Sequence, residues 1–285
     1  MRTTIPLGLV LTFVLGSHVL AAPSGVVSFD YCADQHLLAL AERSQILALS
    51  KYQGSDFSYF PSPRPPLPQV RGTAEEALAL RARVVMRAFG GGPDLESVLA
   101  PYGIEVVTLA YGDNFEVARR NLRRAGRVLD QAAKAEALIA DMDARLARVR
   151  AGWADRPLED RPSAIYLTPS GATTGGGTLV DEVITAAGFR NLYAEAGKQG
   201  WFMLDLEQLL IAPPDVIVGG FFDLKSSATN HWNLARHHLI RRLLKEKPSL
   251  LVPGRLLDCT AWTAVEAVER IHRLYLEVTT AGGTP

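Results

Sequence analysis

Ten side chains in this sequence have types and positions suited to holding a large flat or amphipathic ligand. Tyr31, Tyr52, Tyr59 and Phe60 are followed at a distance by Tyr166, Trp201, Trp232 and Trp262, all offering aromatic faces. Lys51 and Arg87 add cations that would meet an anionic complex or a carboxylate. Broad aromatic contact with a few polar groups is how proteins grip such molecules. Core packing competes for each ring singly, and the loop aromatics Tyr52, Tyr59, Trp201 and Trp232 are favoured as contacts.

Other chemistry is sparse. The sequence has no GxSxG, HExxH, Walker lysine or GxGxxG after its first strand, so no catalytic residue is assigned. The run Asn230 to His238 contains His231, His237 and His238, but no carboxylate lies at ligand spacing and adjacent histidines on a helix point apart. No metal site and no cofactor are therefore expected. His36 falls within the first helix and is read as structural. A secreted α/β enzyme using the Cys32 and His36 neighbourhood is the rival reading.

The chain has 285 residues, 30 basic against 30 acidic, 48% hydrophobic and two cysteines. That length exceeds one ordinary core and favours two lobes. Zero net charge argues against a nucleic-acid partner. Residues 1–22 carry Arg2, an apolar run from Ile5 to Leu15, and small residues at Ala21 and Ala22. This is the pattern of a secretory signal cut near Ala21 or Ala22, with a run short of the roughly 20 residues that span a bilayer. An oxidising compartment makes a Cys32–Cys259 disulfide the first expectation, each cysteine being placed after a strand and near a cleft. Two free thiols touching a soft metal or haem iron are the alternative.

Short apolar strands alternate with helices, which indicates βαβ units around parallel sheets. Strands are expected at Val26–Phe29, Ile46–Leu49, Val84–Met86 and Val106–Leu109 in the first half. Ala164–Leu167, Val216–Val218 and Arg255–Asp258 are expected in the second. Between the halves, residues 113–153 read as helical, and Ala132 to Arg150 would reach about 28 Å as a strut between lobes. The domains are then a signal (1–22), an N-terminal α/β lobe (23–112), the helical segment (113–153) and a C-terminal α/β lobe (154–285). Ligands in open α/β sheets bind beyond the carboxyl ends of strands. That rule places Tyr31, Lys51, Tyr52, Arg87, Tyr166 and Trp262 around one cleft with Phe89, Tyr111, Phe221 and the loop Gly175-Gly176-Gly177, read as a flexible connection; loops add Tyr59, Phe60, Trp201 and Trp232.

A repeat links the lobes. Thr73-Ala74-Glu75-Glu76-Ala77-Leu78 and Asp205-Leu206-Glu207-Gln208-Leu209-Leu210 each precede a Val/Ile-rich strand that runs into a Gly-aromatic loop. Glu75 and Glu207 hold equivalent places, and first-turn acids favoured by the helix dipole would explain both without any function.

With Val26–Leu40 ("VVSFDYCADQHLLAL"), Val70–Met86 and Leu204–Val218, this order resembles the helical-backbone substrate-binding proteins of ABC importers for ferric siderophores, haem and cobalamin. The likeness runs over residues 24–280. Ala82-Arg83 departs from it where the family has Pro-Asp. The resemblance implies a monomeric periplasmic receptor that captures an iron-siderophore, haem or cobalamin between lobes. It implies an ABC permease as partner, docked through Glu75 and Glu207, and little closure motion.

Overall fold

The computed structural model describes residues 25–223 and 238–281. The expected signal over residues 1–22, Trp232, His231 and His237 lie outside the described residues.

The N-terminal lobe is built on β1 (Val26–Ser28), β2 (Ile46–Ser50), β3 (Gln69–Val70), β4 (Val84–Arg87) and β5 (Glu105–Thr108). They form one parallel sheet in the order β3-β2-β1-β4-β5. Helices α1 (Tyr31–Leu40), α2 (Ala74–Ala79) and α3 (Leu95–Leu99) cross between strands. Both faces of the sheet are covered, which is why Val26, Val27, Val84, Val85 and Met86 read as continuous apolar runs and are all buried. The strand order reverses at β1, so the crevice beyond its carboxyl end is a topological switch point.

Two antiparallel helices follow, α4 (Phe115–Val128) and α5 (Ala132–Ala151). The 20 residues of α5 span about 30 Å. Ala135, Ile139, Met142 and Val149 form its buried stripe. Arg119 bonds Asp143 and Arg123 bonds Glu136, tying α4 to α5.

The second lobe contains β6 (Ser163–Leu167), β7 (Ala172–Thr174), β8 (Arg190–Asn191), β9 (Trp201–Met203), β10 (Val216–Gly220) and β11 (Ser249–Val252). Its parallel sheet runs β11-β10-β6-β8, with β7 and β9 as a separate antiparallel ribbon. Around them lie α6 (Leu179–Ala186), α7 (Leu192–Glu195), α8 (Leu206–Ile211), α9 (His238–Glu246) and α10 (Val265–Ala281). Arg145 of α5 bonds Glu269 of α10, joining the strut to the last helix. Among the described residues no helix is long and apolar enough to cross a membrane.

Three local expectations are corrected. Arg255–Asp258 is not a strand: Pro253 ends β11, and Gly254–Leu256 forms a single tight 3-10 turn. Cys259 therefore follows a 3-10 turn rather than a strand, whereas Cys32 follows β1 as expected and lies in the first turn of α1, which Asp30 caps. The Gly175–Gly177 run is held, not free. Gly175 N–H donates to Gly200 and Gly176 N–H to Lys198 at 3.0 and 2.9 Å, and a Cβ on Gly175 would sit 2.2 Å from the Lys198 carbonyl. Close backbone approach demands these glycines.

Candidate ligand cleft

Asp30 organises the first wall of the cleft. Its buried carboxylate accepts from Ala33 N through Oδ1, and from Ala88, Phe89 and Gly90 N through Oδ2 at 2.7 to 3.0 Å. One side chain thereby starts α1 and shapes the loop after β4. Tyr31, the next residue, packs on Phe57 and Phe89 with centroids 5.2 and 5.1 Å apart, and meets Tyr52 edge-on. Phe89 in turn lies 6.4 Å from Tyr111.

Opposite stands the second lobe. A cavity of about 840 Å³ lies between Tyr111 and Gly112 of the first lobe, with the adjoining Asp113, and Thr178, Trp201, Phe221 and Asp258 of the second. Trp201 and Tyr111 are about half exposed, at 52% and 54%, so both rings are available to an occupant. Trp201 rests on Tyr166, centroids 5.7 Å apart. Burial raises the Tyr31 and Tyr111 hydroxyls well above the usual phenol range, with Asp258 reinforcing both. Burial also raises the Asp258 carboxyl, opposed by its hydrogen bond from Tyr31.

The residues singled out in the sequence separate into groups. Trp201 lines the cavity, and Tyr31 and Tyr52 belong to the adjoining aromatic cluster. Lys51 sits over the Tyr52 ring at 5.0 Å, on the exposed rim. Five others are committed elsewhere. Arg87 donates to the Gly90 and Gly92 carbonyls and to Thr108 Oγ1, bracing its own loop rather than awaiting an anion. Tyr166 is wholly buried beneath Trp201, and Trp262 is buried edge-on against His36. Tyr59 donates to Glu266 of α10, with Phe60 packed edge-on beside it. Burial and Glu266 push the Tyr59 hydroxyl up to about 12. Asp113, Asp258 and Phe57 were not anticipated; the aromatic loop Tyr52–Phe60 contained the only signal for the last.

Cys32 and Cys259 are joined, with sulfurs 2.02 Å apart. Neither thiol is then free for a metal or for nucleophilic attack. His36 is buried with Nδ1 on the Cys32 carbonyl at 2.9 Å, and burial lowers its pKa to about 4. The Cys32 and His36 neighbourhood is thus a packed staple between lobes.

Glu75 and Glu207 are both exposed, in the first turns of the six-residue helices α2 and α8. Thr73 and Asp205 cap those helices by accepting from backbone N–H groups. The cap and first-turn backbone N–H groups hold the Glu75 carboxyl below its usual range.

This two-lobed architecture with a cleft between parallel sheets matches known proteins. The periplasmic binding protein family matches residues 84–239, and the chain belongs to that family. A vitamin B12-binding protein of Photorhabdus laumondii is 28% identical over 229 residues, covering 76% of this chain and 79% of its own. A periplasmic haem-binding protein of Vibrio cholerae superposes with a TM-score of 0.70 at 18% identity, over 89% of this chain and 99% of its own. A ferric hydroxamate transport protein of Saccharomonospora viridis gives 0.60 at 20% identity, over 89% and 93%. The structural likenesses show a shared fold, and the family is one of binding proteins.

Proposed function

We propose that the mature chain is the periplasmic receptor of an ABC importer that holds a bulky metal chelate or corrinoid between its lobes. The observation that carries this reading is the open cavity of about 840 Å³ walled by Tyr111 and Trp201, with the Tyr31 cluster beside it. Small-molecule sites run from about 300 to 1,000 Å³, so this one is sized for a large occupant. Ferric siderophore, haem and cobalamin all have that bulk. The printed ligands of the relatives, vitamin B12, haem and ferric hydroxamate, belong to the same group.

Export follows from a signal over residues 1–22, cut near Ala21 or Ala22. Glu75 and Glu207, one exposed acid on each lobe, are the groups offered to the permease. Titration of the mature chain with cyanocobalamin, haemin and ferric siderophores, followed by tryptophan emission, tests the binding role. Saturable quenching by one of them supports it. No response to any, together with turnover of a small-molecule substrate, overturns it.

A further inference from the structure

We infer that the cleft selects neutral or cationic chelates and corrinoids carrying amide-type groups, and turns away polyanionic ones. This deepens the receptor reading above and rests on it.

Among the described residues, the charged groups lining the cavity are carboxylates. Asp113 and Asp258 line it, and among the described lining residues there is no lysine or arginine. Asp258 Oδ2 is buried without a hydrogen-bond partner, while Asp113 accepts from Asn114 Nδ2 at 2.9 Å. More negative charge lies just behind. Burial raises the Glu182 carboxyl, and Asp181 and Asp113 add to the rise, which places three acids within each other's field on one side of the cleft. Arg119, the cation nearest to them, is already bonded to Asp143 and Glu116.

Two features would ordinarily favour an anion, and both are already engaged. The N-terminus of α6 faces the cavity through Thr178 and Leu179. There Thr178 Oγ1 accepts from Asp181 N, and the Asp181 carboxylate accepts from the Gly177 N–H, so the dipole end carries its own acid. The first-lobe cations do not line the cavity: Arg87 is bonded to carbonyls of its own loop, and Lys51 lies on Tyr52 at the rim.

What the cleft does offer is paired. The Tyr111 hydroxyl, held protonated by burial, is a donor and Asp258 an acceptor, the Tyr31 hydroxyl being already given to Asp258. A carboxamide periphery presents the complementary acceptor and donor together. A ligand carboxylate or catecholate would instead face Asp258. A like charge about 6 Å away at an effective dielectric near 20 weakens binding by about a hundredfold.

The test titrates the mature chain with four probes: neutral cyanocobalamin, cationic ferrioxamine B, haemin with its two carboxylates, and trianionic ferric enterobactin. The expected result is that one of the first two binds at least about a hundredfold tighter than either anion. Asp258→Asn and, separately, Asp113→Asn should each shrink that preference about tenfold, with an unchanged circular dichroism spectrum. If Asp258→Asn fails to fold, Asp113→Asn carries the comparison. Haemin or ferric enterobactin binding the wild type as tightly as the neutral and cationic probes overturns charge selection while leaving the receptor reading intact. Binding of none of the four contradicts the receptor reading, and this inference with it.

Discussion

Thr260 and Gly112 hold each other through two hydrogen bonds: the Thr260 hydroxyl accepts from Gly112 N at 3.1 Å and donates to Gly112 O at 3.0 Å. Asn121 Nδ2 reaches the Thr260 carbonyl, and Thr263 donates to Gln35. With the Cys32–Cys259 bond between them, these contacts strap the segment before α10 onto the first lobe. The lobes are fastened at the base of the cleft, which leaves little room for hinge opening.

Removing the staple should therefore cost stability. Cys32 and Cys259 close a 227-residue loop, and the chain-entropy account assigns such a closure about 5 kcal/mol. The double variant Cys32→Ser, Cys259→Ser should lower the denaturation midpoint accordingly in guanidinium titrations. A loss below about 1 kcal/mol would show that the hydrogen-bonded strap alone suffices.

Asp30 should matter both to stability and to binding. Asp30→Ala strips four backbone N–H groups of their acceptor, and bonds to a charged acceptor are worth about 1.5–3 kcal/mol each, though not additively. A loss of about 3 kcal/mol or more is expected by chemical denaturation. Because Phe89 is placed by one of those bonds, ligand affinity should fall as well, by about tenfold.

The pH profile carries a signed signature. His36 is held neutral with a pKa lowered from 6.5 to about 4, so between these values the unfolded chain binds a proton that the folded chain does not. Stability from this group is present above pH 6.5 and is lost as pH falls towards 4, by about 3 kcal/mol. Asp34, raised by burial from 3.8 to about 6, acts in the opposite sense: its contribution grows as pH falls from 6 to 3.8. The two nearly cancel in wild type. His36→Gln removes one of them, so the variant should gain stability as pH drops from 6 to 4. A variant profile parallel to wild type would contradict the assignment.

Docking makes a separable prediction. Glu75→Arg with Glu207→Arg should abolish uptake in cells that depend on this receptor, with ligand affinity and thermal stability unchanged. Both side chains are exposed, so reversing their charge removes only a favourable place in a helix first turn and leaves the packing of the fold intact. Undiminished uptake would remove these residues from the interface.

Much of the architecture was legible because it is local. Thr73 and Asp205 are N-caps wherever they stand before a helical pattern, and the Val/Ile runs after them can only be buried strands. The repeated halves followed from that. The site was harder. Tyr166 and Arg87 sit at strand ends as expected, yet one points into the core and the other folds back onto its own loop. No spacing rule reveals a side chain's direction near a strand's end. Leu250-Leu251-Val252 and Leu256-Leu257 are both short apolar runs, and pairing with β10 makes the first of them the strand. Asp258 is one acid among 30, and only tertiary contact with Tyr31 marks it.

One bulky chelate or corrinoid should occupy the cavity between Tyr111 and Trp201. Isothermal titration of the mature chain with cyanocobalamin, ferrioxamine B, haemin and ferric enterobactin, beside Trp201→Ala, reads this directly. One site per chain is expected for at least one of the four probes, with at least tenfold weaker binding in the variant. Equal affinity in wild type and Trp201→Ala, or no heat of binding from any of the four, would contradict it.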